Sequence, residues 1–237
     1  MLSAIALTPT GPVLIPELAG RAAVEVLEFR QAAVAAATLL PRRWIAVGVG
    51  PADDVIGPDA SGTFAGYGAD VQVALSPEAG PRIADLPLCA LFGGWLRGQA
   101  NPDAAVQVRV YAADHDGPAA VELGRTLRAE IDDIAEPVGV LVLADGATAL
   151  TPSAPGGHDA AAESAQAILD DALAGGDVAA LMQLGGWIAG RVAYQVLAGL
   201  AELRQWDATE LARGAPYGVG YFVGTWAPAG GSEATRG

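Results

Sequence analysis

Short, continuously apolar segments alternate with helical patterns along most of this 237-residue chain. Six segments have strand character, namely residues 2–7, 44–49, 70–75, 106–111, 138–143 and 218–226. Six others carry apolar residues three or four apart, as one face of a helix requires: 22–39, 86–97, 119–134, 160–173, 178–184 and 188–203. Strands that are apolar throughout are typical of a sheet covered on both faces. The alternation therefore predicts a single α/β domain with a central, mostly buried sheet flanked by helices on both faces.

Domain organisation follows from the absence of any repeat or Pro/Ser-rich linker that would divide the chain. We expect one domain over residues 1–226. Residues 227–237 are rich in Gly, Ala and Ser, and we expect them to form a disordered tail. The connection 50–68, rich in Gly, Pro and Asp, is long enough to predict a functional or mobile loop.

The charge balance limits the partners. Acidic residues number 27 against 13 basic ones, for a net charge of −14, which argues against nucleic acid and anionic membranes as partners. The apolar segment 188–203 contains Arg191 and Glu202 and is too short to span a bilayer. The single cysteine, Cys89, excludes an internal disulfide and predicts a cytoplasmic, reducing location. It lies among apolar residues of a helical pattern, which is typical of a small core residue.

Few residues are available for metal or covalent chemistry. The chain has two histidines, His115 and His158, so a site of three histidine ligands is excluded. All 13 basic residues are arginine, so Schiff-base chemistry on lysine and the P-loop are excluded as well.

Two polar segments follow predicted strands, where α/β sheets place their chemistry. His115 stands between Asp114 and Asp116, and a carboxylate beside a histidine favours a general base. The same residues also fit a polar turn in which Asp116 caps the next helix, and we favour the turn. Asp145 directly follows the strand 138–143, and His158 lies in the same connection, so the two could face one cleft.

Three segments together resemble the class III extradiol ring-cleavage dioxygenase family, subunit-B type. They are residues 8–18 (TPTGPVLIPEL), residues 140–148 (VLVLADGAT) with the Pro-Gly-Gly that follows at 155–157, and residues 214–221 (GAPYGVGY). In order and spacing the resemblance extends to about Trp226. It implies a single α/β domain with a cleft at strand ends. In active members this cleft holds non-haem Fe(II), bound by two histidines and a glutamate.

The resemblance also shows which family residues are missing here. The positions of the two ligand histidines fall at Thr10 and Ala52, and that of the glutamate near Ile188. Two further histidines that handle protons would fall near Arg82 and at Thr148. Asp145 is the clearest site residue retained. No metal ligand is matched, so we expect no cofactor, although the family would use Fe(II).

The sequence thus predicts a member that keeps the fold and lacks the iron chemistry, as a non-catalytic small-molecule-binding or interaction protein. A small aromatic or other small molecule is the expected ligand. Self-association, or a role as partner subunit, could use apolar surface around Trp95, Trp187 or Trp206. Two alternatives remain open. One is an active dioxygenase with relocated ligands, such as His115, His158 and an acidic residue. The other is a metal-free acid/base enzyme that uses Asp145 with His158 or His115.

Overall fold

The computed structural model describes residues 1–230 and contains one large mixed sheet. Its seven strands are β1 Leu2–Thr8, β2 Arg43–Gly50, β3 Asp54–Ile56, β6 Ala105–Ala112, β7 Val138–Leu143, β8 Trp206–Gly214 and β9 Tyr221–Pro228. They lie in the order β3-β6-β2-β7-β1-β9-β8. Strands β6, β2, β7 and β1 are parallel, whereas β3, β9 and β8 each run antiparallel to a neighbour. Strands β4 (Ser61–Thr63) and β5 (Gln72–Ala74) form a separate pair.

Helices cover both faces of the large sheet, as the sequence predicts. On one face, α2 (Leu27–Thr38) and α3 (Leu88–Ala100) share a core with one set of strand side chains. On the other, α4 (Gly117–Asp132), α5 (Ala160–Gly175) and α7 (Arg191–Ala201) enclose a second core. Two further helices, α1 (Pro16–Ala19) and α6 (Val178–Met182), are short. The predicted single-domain α/β architecture is confirmed.

The middle of the sheet is the part most clearly encoded in the sequence. Every residue of β7 (VGVLVL) is buried, and this strand lies between β1 and β2. A continuously apolar strand fits this position because both of its faces pack against helices.

Three sequence predictions differ from the observed elements, and one observed strand has no counterpart among the predictions. The predicted strand at 218–226 begins later, since Pro216–Gly218 forms a 3₁₀ turn before β9. The segment 70–75 contains β5, which pairs with β4 and not with the central sheet. The predicted loop 50–68 contains β3 and β4. The edge strand β8 was not predicted, because its mostly exposed sequence lacks the apolar run that marks the inner strands.

The surface differs from expectation at two tryptophans. Trp95 and Trp206 are buried, with 6% and 9% of their surface exposed, so these two side chains do not themselves form exposed apolar surface. Around Trp95, however, Pro16, Leu27 and Val34 line an apolar hollow, as predicted for the surroundings of this residue. Trp187 does expose its side chain. Strand β9 continues through Pro228, past the predicted domain end at Trp226, and residues 231–237 of the predicted tail lie outside the described residues. Within residues 1–230, no helix is both long and apolar enough to cross a membrane.

Candidate functional site

A small cavity of about 120 Å³ lies at the carboxyl ends of the central parallel strands. The helices that follow β2 and β7 pack on opposite faces of the sheet, and such a divergence opens a crevice between neighbouring strand ends. The first turn of α3 forms one wall and the residues just before α7 form the other. Thr10 and Asp145 are the two polar side chains among the nine residues that line it, and the cavity surface combines polar and apolar area; the full set is Thr10, Val49, Leu88, Cys89, Leu143, Ala144, Asp145, Ala189 and Gly190.

The polar end of this cavity is a pair formed by Thr10 and Asp145. The Thr10 backbone N–H donates to Asp145 Oδ1 at 2.8 Å, and the Thr10 hydroxyl donates to Oδ2 at 3.0 Å. Burial raises the pKa of Asp145, while the two Thr10 donors act against that rise. The sequence prediction that Asp145 belongs to a strand-end cleft agrees with this position.

The thiol of Cys89 lies on the cavity wall at the start of α3. The residue is 3% exposed, and burial raises the pKa of its thiol to about 11. A thiol in this state is a poor nucleophile at neutral pH, since the thiolate is the reactive form. Cys89 therefore contributes shape and apolar surface to the cavity.

The backbone after β7 is held on both sides, which fixes Asp145 in place. On one side, Gly190 N–H donates to Asp145 O at 2.8 Å, and Ala189 N–H donates to Gly146 O at 3.0 Å. On the other side, Gly146 N–H donates to Gly220 O at 2.8 Å. The two segments of the sequence that carry the family resemblance around residues 146 and 220 are thus direct neighbours.

The side chain of Gln166 in α5 also forms a hydrogen bond that holds the loop after β7. Its Oε1 accepts from the Ala147 N–H at 2.7 Å, and its Nε2 donates to Asp170 Oδ1 at 2.7 Å. A Cβ at Gly146 or at Gly220 would lie within about 2.1 Å of Gln166 Oε1, so both glycines leave room for this side chain. Sequence reasoning missed Gln166, because a glutamine on a helical pattern carries no signal of burial.

The two histidines are paired with other acidic residues. His115 Nε2 lies 2.8 Å from Asp53 Oδ1, which also accepts from the Ala112 N–H. These two contacts, with Ala112 the stronger, lower the pKa of Asp53. Asp116 caps α4 by accepting from the Ala119 N–H, so the predicted capping turn is confirmed.

His158 lies in the loop after β7, as predicted, but its Nε2 is 2.8 Å from Glu163 Oε1. In the described part of the chain, no hydrogen bond joins a histidine to Asp145, and neither histidine lines the cavity. The geometry thus gives no support to acid/base catalysis by Asp145 with His158 or His115.

The other positions that match iron ligands or proton-handling histidines of the family do not lie together around the cavity. Ala52 is exposed and lines a different hollow, together with Asp53, Asp54 and Tyr67. Arg82 is exposed on the segment before α3, and the Thr148 carbonyl accepts from the Gly156 N–H at 2.8 Å. Ile188 is 2% exposed in the core, in a bridge with Ala147.

These positions do not fit the Fe(II) that the resemblance implies. The Thr10 hydroxyl already donates a hydrogen bond to Asp145, and the hydrocarbon side chains of Ala52 and Ile188 have no atom that can bind a metal. Fe(II) in such enzymes is held by imidazole and carboxylate ligands. Within residues 1–230, no group of three His, Cys, Asp or Glu side chains is arranged to hold a metal ion. The residues that line the cavity therefore offer hydrogen bonding and apolar contact.

Comparison with known proteins supports the fold alone. No protein-family model matches the chain. No curated protein matches it in sequence. Among solved structures, it is similar to the uncharacterized protein JW3007 from Escherichia coli K12, with a TM-score of 0.58. The match covers 95% of this chain and 99% of that one, at 13% sequence identity. The α/β architecture is thus shared over nearly the full length of both chains.

Proposed function

We propose that this chain is a non-catalytic, small-molecule-binding protein on a fold that resembles the class III extradiol dioxygenases. The observation that carries the proposal is the cavity at the strand ends. Apolar side chains such as Val49, Leu88 and Leu143 line it, and its polar end is the Thr10–Asp145 pair, at a position where the family would place an iron ligand. A cavity of this kind, with a few fixed polar groups, is typical of ligand sites in α/β sheets.

The proposed absence of dioxygenase activity is tested by measuring how much iron the protein retains and whether it opens a catechol ring. Purified, untagged chain incubated with Fe(II) without oxygen and then desalted is expected to retain far less than one iron per chain. It is also expected not to open a catechol ring when air is admitted. One iron per chain together with ring cleavage would refute the proposal. If that iron were lost in a His115→Ala/His158→Ala double variant, the alternative with relocated ligands would take its place.

Binding in the cavity is tested with a filling variant. Ala189 is exposed on the cavity wall, so Ala189→Leu adds apolar volume there with little cost to the core. We expect small probes to give NMR shifts of residues around the cavity in the wild type and not in Ala189→Leu. Ala135→Leu, at an exposed position between α4 and the amino end of β7, is the matched control, since the cavity lies at the carboxyl ends of the strands. Equal shifts in all three proteins would show that the probes bind elsewhere.

A further inference from the structure

Asp145 is an acidic side chain at the cavity that has no basic partner in the described chain. Its carboxylate accepts only from Thr10, and no arginine or histidine forms an ion pair with it within residues 1–230. Arg191 is close in sequence, directly after the cavity residue Gly190, but its guanidinium donates to Gln195 Oε1 and to the His115 carbonyl. The charge of Asp145 is therefore compensated by one neutral neighbour alone.

The carboxylate also has acceptor capacity left. A carboxylate offers about four lone-pair sites, and Thr10 uses two of them. Burial without an opposite charge disfavours the ionised form of Asp145 and raises its pKa. A ligand that brings a positive charge and N–H donors would favour the carboxylate and pair with it, an interaction that a neutral ligand does not offer. The amino ends of α3 and α7 lie at the cavity and bring partial positive charge. A partial charge is smaller than the full positive charge that a cationic ligand would supply.

We infer that the ligand of this cavity is a small organic cation, a primary ammonium on a short apolar body. Its N–H groups donate to Asp145, and its body packs against Val49, Leu88 and Leu143. This inference rests on the proposed function, because it names the ligand class of the same site. The net charge of −14 adds a long-range field that attracts cations and repels anions.

The volume limits the size of that body. The cavity measures about 120 Å³, somewhat less than an engineered apolar cavity of about 150 Å³ that accepts benzene. A chain of about four carbons with one ammonium group fits this space. Larger amines with a second ring or a long chain would need the walls to move.

The test compares three probes of nearly equal shape: n-butylammonium, 1-butanol and butyrate. NMR titration of the wild type at neutral pH is expected to show n-butylammonium binding about ten-fold more tightly than 1-butanol, with butyrate weakest. In Asp145→Asn, which keeps the shape and removes the charge, the preference for the ammonium is expected to fall to about two-fold or less. Asp207→Asn removes one charge from an exposed position on β8 and is expected to keep the full preference.

The outcomes separate this inference from the proposed function. If 1-butanol or butyrate binds the wild-type cavity as tightly as n-butylammonium, the cation preference is refuted while binding stands. The same holds if Asp145→Asn keeps the full preference. If none of the three probes binds, or if binding persists in Ala189→Leu, the proposed function fails together with the inference. The wild-type series alone decides the charge preference should Asp145→Asn fail to fold.

Discussion

Asp170 is a half-buried carboxylate on α5 that is linked to the cavity through one side chain. Gln166 donates to it and at the same time accepts from the Ala147 N–H in the loop after β7. Partial burial raises the pKa of Asp170 to about 6, with Glu210 and Asp171 adding to the rise and Gln166 and Arg213 opposing it. A charge at this position therefore opposes folding near neutral pH.

Asp170→Asn is expected to change how stability depends on pH. The pKa of Asp170 is about 6 in the folded protein against 3.8 for the ordinary group, so the folded state binds the extra proton. Stability from this group is full below about pH 4 and is lost as pH rises to about 6. The variant should match the wild type near pH 4 and exceed it by about 1 kcal/mol near pH 7, a value reduced for solvent screening.

Urea denaturation of both proteins at several pH values measures this difference. The asparagine Oδ1 can still accept from Gln166, so the loop contact is retained in the variant. A difference in unfolding free energy that stays constant between about pH 4 and pH 7 would contradict the expected titration.

At the scale of elements, α4 and α7 cross with their backbones in contact. A Cβ at Gly124 would lie 2.1 Å from the Val196 carbonyl oxygen, and a Cβ at Gly199 would lie 1.9 Å from the Val121 carbonyl oxygen. Both obstacles are backbone atoms, which cannot rotate away as a flexible side chain can. The two glycines therefore set the distance between helices that enclose one of the two cores.

Gly124→Ala is expected to destabilise the protein by about 3 kcal/mol, because the helices must separate and lose packing. Gly98→Ala is the matched control: it is also a helical glycine, in α3, but has no atom within 4 Å of the added Cβ. There we expect a gain of about 0.5–1 kcal/mol from helix propensity. Chemical denaturation of the two variants measures both values, and equal effects would show that the crossing tolerates a wider spacing.

The elements also show where sequence patterns stop being informative. Strand β7 is apolar on every residue and was predicted, whereas β8 carries exposed residues at most positions and was missed. An edge strand is covered on fewer sides, so its sequence is free to be polar. The pairing of β4 with β5 was also missed, because a three-residue strand has too few positions to show a period.

For the whole molecule, the excess of acidic residues is the dominant electrostatic feature. The net charge is −14, and the ion pairs Arg42–Asp103 and Arg43–Glu136 expose more than half of both side chains. Exposed pairs contribute little to stability, so repulsion among the unpaired carboxylates outweighs them.

Salt is therefore expected to stabilise the protein. Raising NaCl from about 10 mM to about 300 mM shortens the range of the repulsion, and the unfolding free energy should rise by about 1 kcal/mol. Urea denaturation at the two concentrations measures the change, and KCl should give the same rise if screening is the cause. A fall in stability with salt would mean that attractive ion pairs dominate.

Local sequence patterns are enough to predict the layered α/β fold, because a strand that is apolar throughout must be covered on both faces, and such strands alternate with helical patterns. They also place Asp145 at a strand end. The surroundings of that residue, in contrast, depend on packing between distant segments of the chain. Thr10 and Asp145 are 135 positions apart, and His158, only 13 positions away, bonds to Glu163 instead. Strand order brings β1 beside β7, and no local pattern encodes that order, since it depends on how whole helices and strands pack.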